Sequence, residues 1–597
     1  MSASAPPNVL PGFGWPLDYT PKKGDNDFVG PLLPNALNPQ SQGAELKLTT
    51  LCELMMMQLM NLVTDKPDWH VKVHNEDIVK KWREEATASG PDITPNMLDW
   101  CIAELRHLAA QFPDDASQAP PTVVYNGDVV KSDVAVSREL HDALNEAVNK
   151  FEEAIPEWQR DWHPGSDDKV WDLVHPSLFP LVYGVSRVLE TGQTTLEDAV
   201  SLCGQGRVAA NPTLNQNKVP PKAYSKKFQW LPCEVDITGQ DVKITSYINN
   251  LHPAREKVLY GLVEQLITAS IPLWQATLAP LLDENYSWEN RIDYKTVTYD
   301  PDPEFGPDTD GPQWNPDENG EDPNYDDEDD FWEKREEWIT ETRKVEMPDF
   351  PDTFVPPKRP TLPDLRAKYK GLQVIVKFAN IMLTPEKPEY NGGTWHVEGQ
   401  LNEHIVATSL YYYSCSNITT SSLSFRQRFD AEEEFIELYY PQNAHDWLEP
   451  IFGCEQDGPG VQEVGSVETR EGRLLTFPNI LQHRVGPFKL ADPTKPGHRK
   501  IVALFLVDPN IKVISTAHVP CQRQDWWWEV TQQTAASSTH LGGLPRELQD
   551  HVLTDVDFPL SLAEAKKLRE ELMEERKAFT FENGREFEEQ TISLCEH

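Results

Sequence analysis

The hydrophobic period of the chain changes near Pro363, and no other feature limits the fold as much. Before it, apolar residues recur every three or four positions. After it they come in short β-branched and aromatic runs broken by Gly, Pro and Asn. Leu46, Leu51, Leu54, Met55, Leu59 and Leu62 predict one amphipathic helix, and residues 97–112, with Pro95 near their start, predict a second. The Met55-Met56-Met57 run reads as the core face of the first helix, with an adaptable binding surface as the alternative. Helices are also expected over residues 137–154, 180–190 and 254–278.

Beyond the switch, strands are expected at residues 372–378, 405–413, 435–440, 473–477 and 501–507. So many short strands in so little chain point to a sandwich or jelly roll. The fold class is therefore α+β: a double-stranded β-helix (jelly-roll) core in the C-terminal half, preceded by a mainly helical N-terminal region. The helical period returns at the end, where Ser561-Leu562-Ala563-Glu564 has the form of a capping box opening a charged helix to about Arg576. Five regions follow: a Pro-, Gly- and Asn-rich arm (1–43), a helical domain (44–299), an acidic flexible insert (300–350), the β-domain (351–525) and a helical extension (526–597).

The insert draws its character from charge. Asp300 to Asp330 contains fourteen Asp or Glu and no Lys or Arg, so like charges repel and no apolar period competes. The spacing argues against an EF-hand loop there, because Asp326-Asp327-Glu328-Asp329-Asp330 lacks the alternating ligand positions and the turn glycine. Over the whole chain 96 acidic residues oppose 54 basic ones, a formal charge of −42. That balance argues against nucleic acid and against a membrane surface, both of which need clustered cations. No apolar run approaches the roughly 18 residues of a bilayer span. Eight cysteines are scattered without a CxxC pair, and the Pro-rich start lacks a basic cluster followed by an apolar stretch. A cytoplasmic or nuclear protein with free thiols, not a secreted one, is expected, and the Asn417-Ile418-Thr419 sequon is then without consequence.

One constellation carries chemistry. In an extended segment residues two apart share a side, so His396 and Glu398 can aim an imidazole nitrogen and a carboxylate oxygen at one point. His483, beyond the strand at 473–477, is a third candidate ligand. Two histidines and one carboxylate on one side of a metal leave positions open for a co-substrate and dioxygen, which suits non-heme Fe(II). Arg499 heads the strand at 501–507, where its planar fork can pair with a carboxylate; a surface salt bridge is the alternative. Thr408, Leu410 and Tyr412 share one strand face, as a pocket wall would.

Residues 372–509 resemble the Fe(II)- and 2-oxoglutarate-dependent oxygenases, most closely the prolyl-hydroxylase-like branch. The resemblance lies in Trp395-His396-Val397-Glu398 leading into Ala407-Thr408-Ser409-Leu410-Tyr411-Tyr412, in Gly472-Arg473-Leu474-Leu475-Thr476-Phe477-Pro478 leading into His483-Arg484-Val485-Gly486-Pro487, and in Arg499 with its strand. It implies that His396, Glu398 and His483 ligate iron, that Arg499 holds the distal carboxylate of the co-substrate 2-oxoglutarate, and that Tyr412 contacts the same group. Leu410 and Thr408 would line that pocket, dioxygen would be the oxidant, and the substrate would be a small molecule or a protein side chain. Two features depart from the common pattern: Glu398 stands where Asp is more usual, and residues 491–496 read as an inserted turn before Arg499. The chain as a whole resembles a family of large, mostly uncharacterised fungal proteins, through Asp172-Leu173-Val174-His175-Pro176-Ser177-Leu178, Gln229-Trp230-Leu231-Pro232-Cys233 and Ser246-Tyr247-Ile248-Asn249-Asn250-Leu251-His252-Pro253.

Other residues bear on the site less. His404 is either a second layer behind the ligands or solvent-exposed. Arg426 and Arg428 share a strand face and either bind a carboxylate or are surface charges. His175 and His252 precede proline and read as turn residues. Trp526-Trp527-Trp528 are expected to pack between the β-domain and the C-terminal helices, with stacking on a ligand as the alternative. Two further functional classes stay open: a non-catalytic interaction protein built on the same core, and a metal-dependent cupin-like enzyme that does without 2-oxoglutarate.

Overall fold

The computed structural model describes residues 6–594 apart from 26–27, 39–42, 90–92, 114, 216–220, 304–310, 318–319, 351–352, 443 and 536–557. Cys595 and parts of the acidic segment therefore lie outside the described residues. The predicted helices form where caps and apolar period agree. Helix α1 (Leu51–Thr64) is capped by Thr50, whose side chain accepts from the Glu53 N–H. It is followed by α2 (Glu76–Ser89) and by α3 (Pro95–Ala109), which has Thr94 as its cap and a proline in its first turn. Helix α4 (Arg138–Ala154) starts at the Ser137 cap, and α5 (Lys257–Leu282) runs for 26 residues.

Strands β1 (Thr122–Tyr125), β2 (Val129–Ser132), β3 (Val170–Val174), β4 (Cys233–Asp236) and β5 (Lys243–Ile244) come from the region expected to be mainly helical. They join a sheet whose centre is β6 (Gly371–Leu383), β7 (Ile405–Ser416), β10 (Leu474–Pro478) and β12 (Gly497–Val507). The order is β5-β4-β6-β12-β7-β10-β2-β1, with β3 also paired to β6, and every pairing is antiparallel. A second antiparallel sheet, β9-β8-β11, is built from β8 (Ser422–Arg428), β9 (Val461–Glu468) and β11 (Gln482–Val485). Among the described residues the large sheet keeps two free ends, so it is not a closed barrel.

Side-chain alternation assigns each face of the large sheet a partner. On β12, Val502, Leu504 and Leu506 share a core with Leu266, Ile271 and Trp274 of α5. Ala503 and Phe505, on the other face, share a core with Leu423 and Phe425 of β8 and with Leu410 and Tyr412 of β7. Fully burying each such side chain contributes roughly 1.5–3 kcal/mol. A one-residue slip of β12 would exchange its two faces, so packing on both sides fixes the register.

Three expectations need correction. Residues 435–440 form a turn followed by a single bridge from Tyr439 to Thr296, not a strand: the Asp430 carboxylate accepts the backbone N–H groups of Glu432 and Glu433, and Phe435 and Leu438 share a core with Trp447. Residues 180–190 form two-residue strands, Leu181–Val182 and Arg187–Val188, around Gly184 at φ 86°, a turn that ends any helical period. The acidic segment contains a helix, α6 (Glu328–Thr342), capped by Asp327; the acids of its first turn sit at the positive end of the helix dipole.

At the C-terminal end, α7 (Gln524–Ala535) buries Trp526, and α8 (Leu562–Phe587) opens with the expected capping box, Ser561 and Glu564 each accepting the other's backbone N–H. Among the described residues the cysteines form no disulfide, and no helix is long and apolar enough to cross a membrane.

Candidate metal centre

His396 and Glu398 lie in the loop before β7, and His483 lies on β11. An isolated antiparallel bridge joins the loop to that strand: the His396 N–H donates to the His483 carbonyl at 3.1 Å and the His483 N–H donates back at 2.9 Å. Gly392 makes the loop's approach feasible. Its φ is +89°, and a Cβ there would stand 2.8 Å from the Val485 carbonyl oxygen of β11. Asn479 then clamps the ligand backbone. Its Oδ1 accepts the Glu398 N–H at 2.8 Å, and its Nδ2 donates to the Glu398 and Ile405 carbonyls, each at 3.0 Å.

The three predicted ligands converge. Glu398 Oε1 is 3.3 Å from His483 Nε2 and 3.8 Å from His396 Nε2, and one ligand atom from each residue lies within 4.8 Å of the others. Two ligands about 2.0–2.2 Å from a shared ion stand roughly 3 Å apart, so the spacing suits one cation. His396 Nδ1 is 2.8 Å from the Thr394 carbonyl oxygen, which can only accept, so Nδ1 carries the hydrogen and Nε2 keeps its lone pair toward the other two groups. Burial pushes the His396 imidazole down to about 4, aided by His483. For Glu398 burial acts upward, but the hydrogen bond from His483 and the charges of both histidines outweigh it and hold the carboxyl at about 2. Near neutral pH the site thus offers a neutral His396 and an ionised Glu398; for a divalent cation to bind, the hydrogen that His483 Nε2 donates to Glu398 moves to Nδ1, which is buried with no partner among the described residues. The donor set fits an ion such as Fe(II), with His396 one-third exposed toward a cavity.

Arg499 is 3% exposed, which removes the surface salt-bridge reading. Its guanidinium carbon stands 5.6 Å from the Tyr412 ring centre and 5.3 Å from that of Phe488. Its one hydrogen bond among the described residues is a 3.5 Å contact to the Thr469 hydroxyl, and Nε is buried without a partner. Thr408, Leu410 and Tyr412 are all buried on β7. Arg426 and Arg428 are spent on structure. Arg426 donates to Gln482 and Glu588, tying down the end of α8, and Arg428 pairs with Glu45. His404 is 7% exposed, not solvent-facing, and its Nε2 has no partner among the described residues. His175 and His252 are turn residues as expected: each Nδ1 accepts the N–H of the residue two further on, Ser177 and Ala254.

A cavity of about 990 Å³ opens beside the centre. Trp395, His396, Glu398 and Lys377 form one wall, and residues of α8, including Met573 and Phe581, form another. Arg499 is not among its lining residues. His163 and His175 also line it, and with Asp172 they form a second cluster of ligand-type atoms within 4.8 Å of one another. Asp172 lies on β3, while His163 is brought beside it by the Trp162–Trp171 bridge. No fixed short spacing advertises this pair; only the histidine-proline turn at His175 was visible in the sequence.

The chain belongs to the family described as "Protein of unknown function (DUF4246)", whose pattern matches residues 95–530, and its N-terminal domain pattern matches residues 10–85. No curated protein matches the chain. Among solved structures, the Fe(II)/(alpha)ketoglutarate-dependent dioxygenase TqaL, selenomethionine-labelled, is similar over 64% of this chain and 95% of its own length, at 11% identity and a TM-score of 0.21. A bsmA homolog from Methylobium petroleophilum PM1 and IDO from Bacillus thuringiensis are each similar over 24% of this chain, at 12% identity and a TM-score of 0.15. The chain spans 45% and 48% of those two structures, less than half of each.

Proposed function

We propose that the chain is an Fe(II)- and 2-oxoglutarate-dependent oxygenase that oxidises a C–H bond of its substrate. The convergence of His396, Glu398 and His483 beside a 990 Å³ cavity carries this reading. The two sheets facing each other across a shared core correspond, on this reading, to a double-stranded β-helix whose large sheet has been extended by β1–β5.

When bound at the triad, iron supplies the activation of dioxygen; overall, one oxygen atom enters the substrate and the other enters succinate as 2-oxoglutarate loses carbon dioxide. The protein's contribution is positioning. Glu398 neutralises part of the ion's charge, Thr394 and Asn479 fix the ligand orientations, and Trp395 and α8 restrict water. Arg499 takes the distal carboxylate of 2-oxoglutarate. A buried guanidinium with no carboxylate partner among the described residues lacks the neutralisation that burial ordinarily demands, and a bound dianion would provide it.

A metal-dependent oxidase without 2-oxoglutarate is the second reading, favoured by one observation: the cations on the cavity wall are Lys377, Arg576, Lys577 and Arg585, not Arg499. Supplying iron-loaded protein with 2-oxoglutarate and oxygen separates the two. Succinate formation that disappears in Arg499→Ala supports the first reading; iron bound with no succinate selects the second.

A further inference from the structure

Two clusters of two histidines and a carboxylate face one cavity, and the hydrogen bond made by the second ring nitrogen separates their chemistry. In His396 that nitrogen meets a carbonyl, so the other keeps a lone pair for a cation. In His175 the order is reversed. Its Nδ1 accepts the Ser177 N–H at 3.1 Å, so the hydrogen of the neutral ring sits on Nε2, which then has nothing to offer a metal. His163 Nδ1 lies 2.8 Å from Asp172 Oδ2 and is the donor in that bond, which leaves His163 Nε2 with its lone pair. The second cluster thus has the composition of a metal site but the hydrogen-bonding of an aspartate–histidine base.

Burial agrees with this. The Asp172 side chain is fully buried and its Oδ1 has no hydrogen-bond partner among the described residues, whereas the His163 ring is 28% exposed and lines the cavity. Burial acts upward on the Asp172 carboxyl, but His175 and His163 outweigh it and hold the group well below the usual carboxylate range, so it is ionised. The backbone is tied at both ends of the loop: the Asp172 N–H donates to Asp161 and the His163 N–H to Val170. Lys377, on β6, contributes a positive charge felt by both Asp172 and Glu398.

We propose that His163, oriented by Asp172, is a proton-accepting group of this cavity that takes a hydrogen bond, and in reaction the proton, from an O–H or N–H group of the ligand. On transfer the proton passes to His163 Nε2 and the electron pair stays on the ligand's oxygen or nitrogen. The imidazolium formed is paired with the Asp172 carboxylate, and nothing is oxidised or reduced. Lys377 stabilises the anion left behind. The ligand is therefore a hydroxyl- or amine-bearing compound, not a bare hydrocarbon. This deepens the oxygenase reading by naming what its substrate carries, yet it makes no use of the metal.

The probe is diethyl pyrocarbonate, which acylates imidazole lone pairs, applied at pH 7 to full-length, metal-free protein and read residue by residue by mass spectrometry. His163 is expected to react and His175 to resist, and Asp172→Asn should slow His163 about tenfold, because the amide no longer holds one tautomer. Circular dichroism checks that the variant is folded. Nitrogen-15 spectra of the wild type, which need no variant, should show hydrogen on Nδ1 of His163 and on Nε2 of His175. The inference is overturned if the two histidines react equally, if the tautomers are reversed, or if Asp172→Asn leaves the rate unchanged. It is equally overturned if added Fe(II) or zinc binds at two per chain and protects His163. Failure of the oxygenase reading leaves every one of these labelling rates intact, so the two claims fail separately.

Discussion

Asn479→Ala tests whether the loop before β7 holds Glu398 where a metal needs it. The side chain makes three buried hydrogen bonds, one from the Glu398 N–H and two to the carbonyls of Glu398 and Ile405. Each contributes about 0.5–1.5 kcal/mol net, and a polar group left unpaired adds about 1–3 kcal/mol. The expected loss is therefore about 2.5–7.5 kcal/mol, read from urea unfolding of metal-free protein. Freeing the Glu398 backbone also loosens one ligand, so iron affinity, measured by competition with a chelator, should fall about 10- to 100-fold. Asn479→Asp keeps the acceptor but sets a buried carboxylate against both carbonyls, and should lose at least as much stability as the alanine variant. If the alanine variant loses the stability but retains full iron affinity, Glu398 is held by something other than this amide.

Three further outcomes are expected. His396→Ala should abolish iron binding, whereas Arg499→Ala should keep the iron and mainly weaken 2-oxoglutarate in calorimetric titration; unchanged co-substrate affinity would refute the assignment of Arg499. Arg291, its side chain 10% exposed, pairs with the buried Glu53 and Glu104 at 3.2 and 2.7 Å, so Arg291→Met strands two buried carboxylates and should cost about 3–5 kcal/mol in thermal or urea unfolding; a loss under about 1 kcal/mol would contradict that. Asp508 is pushed up to about 6 by burial. Its folded pKa lies above its unfolded one, so its contribution is intact below about pH 4 and is lost as pH rises toward 6, up to roughly 3 kcal/mol; Asp508→Asn should flatten that part of the stability–pH curve, and parallel curves would refute it.

The parts of the structure that were legible in the sequence are those where one local rule suffices. Residues 396 and 398 are two apart, and an extended loop puts both on one side. The alternation along β7 and β12 divides residues packed toward β8 from those packed toward α5, and Thr94, Ser137 and Ser561 mark helix starts as their chemistry predicts. What was missed depends on tertiary contact. Strands β1–β5 have two to five residues each, too few to display a period, and they exist because β6 and β10 offer unpaired edges. The acids of Asp327-Glu328-Asp329-Asp330, read as a repelling run, become a cap and a favourable first turn once a helix follows them. Asn479 and the His163–Asp172 pair have no spacing rule at all, since their partners arrive from other strands. His404 looked like a solvent-facing residue because nothing local reveals that the chain folds back over it.

The most direct measurement is the iron content of anaerobically purified protein, compared with His396→Ala and His483→Ala variants shown to be folded. About one iron per chain in the wild type, and none in either variant, is the predicted result. A wild type that takes up no metal, or variants that retain it in full, would contradict a metal centre at His396, Glu398 and His483.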